Sequence, residues 1–169
     1  LIADPARRST LLALLPVLFS GVALAGCAGR EPAPQFSYTL LDGTRLSSDS
    51  LRGQVVMVNF WATTCSTCIG EMPRLIATHQ RYQGQGLQTL AVAMRYDPPA
   101  SVAHYAETRR LPFGVVIDNT GAIAAAFGDV AATPTTVLID KRGRVVQRHV
   151  GEPDFAALNR QIEKLLAEA

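Results

Sequence analysis

Cys65-Ser66-Thr67-Cys68 is the segment of this chain best equipped for chemistry. Two thiols this close in sequence can join as a disulfide. The run in front of them, from Val55 to Trp61, is the apolar, β-branched sequence of a strand buried on both faces. Behind them Glu71, Met72, Leu75, Ile76 and His79 repeat at the spacing of one helix face, which predicts a helix to about Tyr82, kinked at Pro73. The pair therefore falls at a strand-to-helix junction, where the helix dipole and free N–H groups stabilise a thiolate. Cys65 is expected to be the exposed attacking sulfur, and Cys68, one turn further in, the resolving one. Half of a structural zinc site is the competing reading, but it needs two more ligands. No second cysteine pair exists, and His79, His104 and His149 fall in separate predicted elements. A purely structural bridge is disfavoured because so short a loop constrains the unfolded chain little. Redox chemistry by the cysteine pair itself is the expectation, with no metal and no separate cofactor.

The third cysteine, Cys27, follows a different kind of sequence. Arg7-Arg8 precede an apolar run from Leu11 that ends in Leu24-Ala25-Gly26-Cys27, the order of a basic, an apolar and a small-residue processing region. The run is shorter than the ~20 residues a bilayer-spanning helix needs and is interrupted by Pro16. Its end resembles the lipobox of bacterial lipoproteins, which implies cleavage before Cys27 and a lipid on its sulfur. Residues 1–26 are thus expected to be a lipoprotein signal peptide. Residues 27–35, with Gly29, Pro32 and Pro34, are expected to be an extended tether, and residues 36–169 the folded domain.

Within that domain Phe36–Leu40 and the stretch around Arg45-Leu46 read as a hairpin closed by Asp42-Gly43. Ser48 to Leu51 reads as one helical turn. Leu87–Met94 and Val115–Asp118 read as strands, and Ser101–Arg110 and Gly121–Phe127 as helices. Thr135–Ile139 and Val145–Val150 flank a Gly-containing turn, and Pro153-Asp154 opens a last amphipathic helix. The order, hairpin then βα, βα, βα, ββα, predicts an α/β fold with a mixed sheet, parallel at its centre and flanked by helices. Such sheets carry their chemistry at strand carboxyl ends, where the cysteines lie. Sixteen basic and fourteen acidic residues give a formal charge of +2, which implies no nucleic-acid partner. Lys141, Arg142 and Arg144, the densest basic group, read as a solvated turn with no binding role.

The segment from Phe60-Trp61-Ala62-Thr63-Thr64-Cys65 through Cys68-Ile69-Gly70-Glu71-Met72-Pro73 resembles the active site of TlpA/ResA-type thiol–disulfide oxidoreductases. Ala132-Thr133-Pro134-Thr135-Thr136 resembles that family's second marker. The resemblance implies a thioredoxin-like fold with an N-terminal hairpin and an extra strand–helix pair over about Leu87 to Arg110. It also implies a cis bond between Thr133 and Pro134 beside the dithiol, with exposed backbone that binds the substrate segment. Glu71 becomes an active-site acid that tunes the cysteines or moves a proton. Trp61, at the end of the core strand, is expected either to cover one wall of the substrate site or to serve packing alone. The implied partners are protein disulfides of the bacterial cell envelope, apocytochrome c among them, and a membrane electron donor of thiol-transporting type. The implied location is the periplasmic side of a membrane. Thr64 departs from the family, which often has an aromatic residue just before the first cysteine.

Two rivals share the general fold. A peroxiredoxin-like peroxidase would carry Pro-x-x-x-Thr-x-x-Cys, but Val58 and Ala62 occupy those places before Cys65. A copper-binding metallochaperone would use Cys-x-x-x-Cys and a distant histidine, for which His149 is the only candidate, and the spacing here is shorter.

Overall fold

The structure, a computed structural model, describes residues 30–168. The expected signal peptide, and the lipidation expected at Cys27, lie outside the described residues. The strand in front of the cysteines, β3 (Val55–Trp61), has all seven residues buried and lies in the middle of a five-stranded sheet. The other strands are β4 (Leu87–Ala93), β5 (Gly114–Ile117), β6 (Thr135–Ile139) and β7 (Val145–Val150), in the order β5-β4-β3-β6-β7. The bonds β3–β4 and β4–β5 are parallel, β3–β6 and β6–β7 antiparallel. The separate hairpin β1 (Ser37–Thr39) and β2 (Arg45–Ser47) covers the β5 edge through a Leu40–Val116 bridge. Gly43, at φ +87°, makes the left-handed turn that the Asp-Gly signal requires.

Four helices, α1 (Ser66–Tyr82), α2 (Pro99–Arg109), α3 (Ala122–Ala126) and α4 (Phe155–Ala167), complete the domain. The strict alternation of β3 divides the core into two layers. Val55, Met57 and Trp61 join Cys68, Met72 and Leu75 of α1, Val102 of α2 and Ile162 of α4. Val56, Val58 and Phe60 point the other way, towards Tyr38 of the hairpin, Ile123 of α3 and Phe127. Apart from Asn59, both faces of β3 carry apolar or aromatic side chains, and the buried Asn59 is the polar residue whose partners mark its register. Helix α1 runs through Pro73 without ending there. Among the described residues no helix is long and apolar enough to cross a membrane.

Two expectations about the ends of the domain are corrected. The tether is docked from Arg30 onward: Ala33 N–H donates to Gly143 O at 2.8 Å and Val145 N–H to Glu31 O at 2.7 Å. Arg30 also forms ion pairs with Asp140 and Glu168, each at 3.0 Å. Residues 31–33 thus cover part of the open β7 edge, whose backbone groups would otherwise be unpaired. The basic turn is also more than solvated. Lys141 Nζ donates at 2.7 Å to the carbonyls of Leu166 and Glu168, orphan acceptors at the end of α4.

Candidate active site

Cys65 is the N-cap of α1 and has an extended backbone, while its Sγ accepts the N–H of Cys68 at 3.1 Å. A sulfur in that position meets the unpaired donors of the first helical turn, so the thiolate form is favoured once the bond is reduced. The two sulfurs are joined as a disulfide. Their exposure is unequal: Cys65 is partly exposed, whereas Cys68 is wholly buried in the α1 layer of the core. A partner sulfur can therefore reach Cys65, and Cys68 is screened by protein.

Glu71 lies one turn beyond Cys68 on the same buried face of α1 and is 0 % exposed. Its Oε1 accepts from Asn59 Nδ2 at 3.0 Å, and that same amide donates to Thr136 Oγ1 at 3.1 Å. Asn59 and Thr136 are register partners on β3 and β6, so the sheet holds this acid through a cross-strand pair. Glu71 Oε2 has no hydrogen-bond partner among the described residues. Burial, which penalises the charged form, pushes the Glu71 carboxyl up to about 7, against the opposing pull of the Asn59 bond and of Arg74. A carboxyl poised near neutrality one turn from a thiol is suited to take and return a proton.

The second marker arrives from β6. Phe60 pairs with Thr135, which puts Pro134 level with the last residue of β3, at the carboxyl end from which the chain turns to Cys65. The Thr133–Pro134 peptide bond is cis. Trp61, for which a wall of the substrate site was one expectation, is instead 0 % exposed and packs on Tyr105 of α2, with ring centroids 5.3 Å apart. A side chain at the end of a strand with helices on that face falls inside the core, so the indole supports the dithiol from behind and offers no surface to a substrate. His149 lies on β7 with Nε2 3.0 Å from Glu152 O. Among the described residues no three His, Cys, Asp or Glu side chains gather as metal ligands would.

Three positioning groups were missed in the sequence. Asn59 had a signal, a lone amide in an otherwise apolar buried strand, and Thr136 is its register partner. Asp97, 2 % exposed, accepts Thr63 N–H at 2.6 Å and Thr63 Oγ–H at 2.5 Å, fixing the loop two residues before Cys65. No local pattern marks that contact, because Asp97 follows β4 and Thr63 follows β3.

Residues 28–162 match the Redoxin family. The chain is 37% identical over 133 residues to thiol-disulfide oxidoreductase ResA of Geobacillus kaustophilus, covering 79% of this chain and 75% of that protein. The ResA of Bacillus thuringiensis is 33% identical over 137 residues, covering 81% and 78%. The crystal structure of a thioredoxin-family thiol:disulfide interchange protein from Chlorobium tepidum superposes with a TM-score of 0.75 at 30% identity, over 83% of this chain and 99% of that one. Sequence and superposition agree, and the chain belongs to the Redoxin family as a TlpA/ResA-like thiol–disulfide oxidoreductase.

Proposed function

We propose that this oxidoreductase works as a reductase of protein disulfides on the periplasmic side of a bacterial membrane, held there by a lipid on Cys27. The observation that carries the reading is the unequal exposure of the two sulfurs above a buried acid that titrates near neutrality. In the reduced protein the Cys65 thiolate attacks one sulfur of a substrate disulfide and displaces the other as a thiolate, leaving a mixed disulfide. The substrate segment lies along the backbone of Thr133 and Pro134. Cys68 then gives its proton to the Glu71 carboxylate and attacks Cys65 Sγ, so the second substrate sulfur leaves and the Cys65–Cys68 disulfide forms. The substrate has gained two electrons and the protein has lost two. A membrane electron donor of thiol-transporting type restores the dithiol. Haem-binding cysteines of apocytochrome c are the substrates that the resemblance favours.

Titration of the Cys65–Cys68 couple against a thiol–disulfide buffer tests the direction. A potential near thioredoxin's roughly −270 mV is expected, and one near roughly −120 mV would make the protein an oxidant. Cys68→Ser should accumulate the mixed disulfide, seen by mass spectrometry as one covalently attached substrate, and Cys65→Ser should form none. Loss of radiolabelled fatty-acid incorporation in Cys27→Ala checks the anchor.

A further inference from the structure

The segment that follows β4 connects both loops of the active site through adjacent side chains. Asp97 turns inward and holds Thr63, two residues before the nucleophile. Tyr96 turns outward, and its hydroxyl lies 3.3 Å from Thr133 Oγ, beside the cis peptide bond. The register explains the convergence. Trp61 of β3 is level with Ala93 of β4, and Met94 N–H donates to Trp61 O, so Tyr96 stands just beyond the carboxyl end of the sheet, as Cys65 does.

Tyr96 is 56 % exposed, one of three large apolar side chains so exposed among the described residues. Of the other two, Leu41 is in the hairpin turn, and Val150 pairs with Thr135 at the end of β7, on the far side of the Thr133–Pro134 loop from the β4 segment. Beside the ring a groove of about 460 Å³, large enough for one bulky side chain, has Met94, Ala124 and Val130 at its floor and Arg95, Thr120 and Asp129 at its rim. The position just before Cys65 offers no ring, because Thr64 stands there.

We propose that Tyr96 is the specificity-determining residue of this enzyme, a platform for a bulky apolar residue flanking the reactive cysteine of the substrate polypeptide. The inference rests on the exchange reaction proposed above but not on its direction. A cysteine joined to Cys65 brings its neighbours within reach of the Thr133–Pro134 loop, and an extended chain places successive side chains on opposite sides. One side faces the protein, where the ring and groove lie. The 3.3 Å contact with Thr133 restrains the phenol, so little rotational freedom is lost on contact.

The test uses the full chain in its reduced form and two otherwise identical disulfide peptides, with Phe or Gly next to the reactive cysteine. Single-turnover exchange rates are followed by the change in Trp61 fluorescence. The wild-type protein is expected to prefer the Phe peptide by about fivefold, the range of one aromatic contact. Tyr96→Ala should bring the ratio to about one, and Tyr96→Phe, which keeps the ring, should retain most of it. An equal fall in both rates in Tyr96→Ala, with the ratio preserved, would make Tyr96 a structural prop and overturn the proposal. So would the absence of any preference in the wild-type protein. In vitro exchange reads the ratio whichever way electrons flow in the cell, so a failed reductase assignment would show in the reduction potential and not here.

Discussion

Glu71 is held in conflict with its surroundings. It is an acid with one hydrogen-bonded oxygen and one without a partner among the described residues, in the layer that also buries Cys68. Its carboxyl titrates near 7, above the usual carboxylate range, so between about pH 4.5 and 7 the folded protein keeps a proton that the unfolded chain has lost. Stability contributed by the protonated form is therefore present at low pH and lost as pH rises through 7. The ionised acid weakens the oxidised fold by about 3 kcal/mol at pH 8. Glu71→Gln, which keeps the acceptor for Asn59, should raise urea resistance at pH 8 by up to that amount and change little at pH 4. The same variant should slow resolution of the mixed disulfide above pH 7 by about tenfold or more, because Cys68 loses its base. Equal stability of both proteins across this range would show that Glu71 is not held against its charge.

At the scale of elements, the site depends on contacts between segments that follow different strands. Asp97 places a buried carboxylate against Thr63, in a loop between β3 and α1 that is also closed by Cys65 N–H to Ala62 O at 3.1 Å. Asp97→Ala is expected to cost about 1–3 kcal/mol in denaturant unfolding of the oxidised protein, with Asp97→Asn intermediate. Loosening of this loop should also raise the rate at which Cys65 reacts with a small alkylating reagent in the reduced protein. Helix α1 itself was legible: the buried positions Cys68, Glu71, Met72, Leu75, Thr78, His79 and Tyr82 follow the helical repeat read from the sequence. The strands β3 to β7 and the terminal helix were legible for the same reason. The role of Trp61 was left open between wall and packing because its sequence position, next to the site, says nothing about which layer its face of β3 enters.

In the whole molecule, the described chain starts at the opposite end from its chemistry. Arg30 pairs with Asp140, which follows Ile139, and Ile139 lies level with Val56 at the start of β3. The dithiol stands about 20 Å of sheet away from Arg30, which follows the proposed anchor residue Cys27 by three residues. A chain beginning at Phe36 should be less stable than one beginning at Arg30 by about 1–3 kcal/mol, since it lacks the backbone bonds to Gly143 and Val145. Thermal unfolding of the two chains checks this, and equal melting temperatures would show the docked segment to be passive. A tether was the natural reading of Gly29, Pro32 and Pro34, because a docked strand edge and a free linker have the same local composition.

The sequence by itself determined the mixed α/β sheet, the central place of β3, the helix that begins at the dithiol and the assignment of Cys65 as the more accessible sulfur. These follow from periodicity and from the short range of a Cys-x-x-Cys turn, which are properties of neighbouring residues. The tertiary structure alone decided that Asn59 and Thr136 hold Glu71, that Asp97 holds Thr63, that Trp61 lies behind the site and that residues 30–35 are docked. Each of those is a contact between segments that meet only through strand register, and register is fixed when the two core layers close on β3.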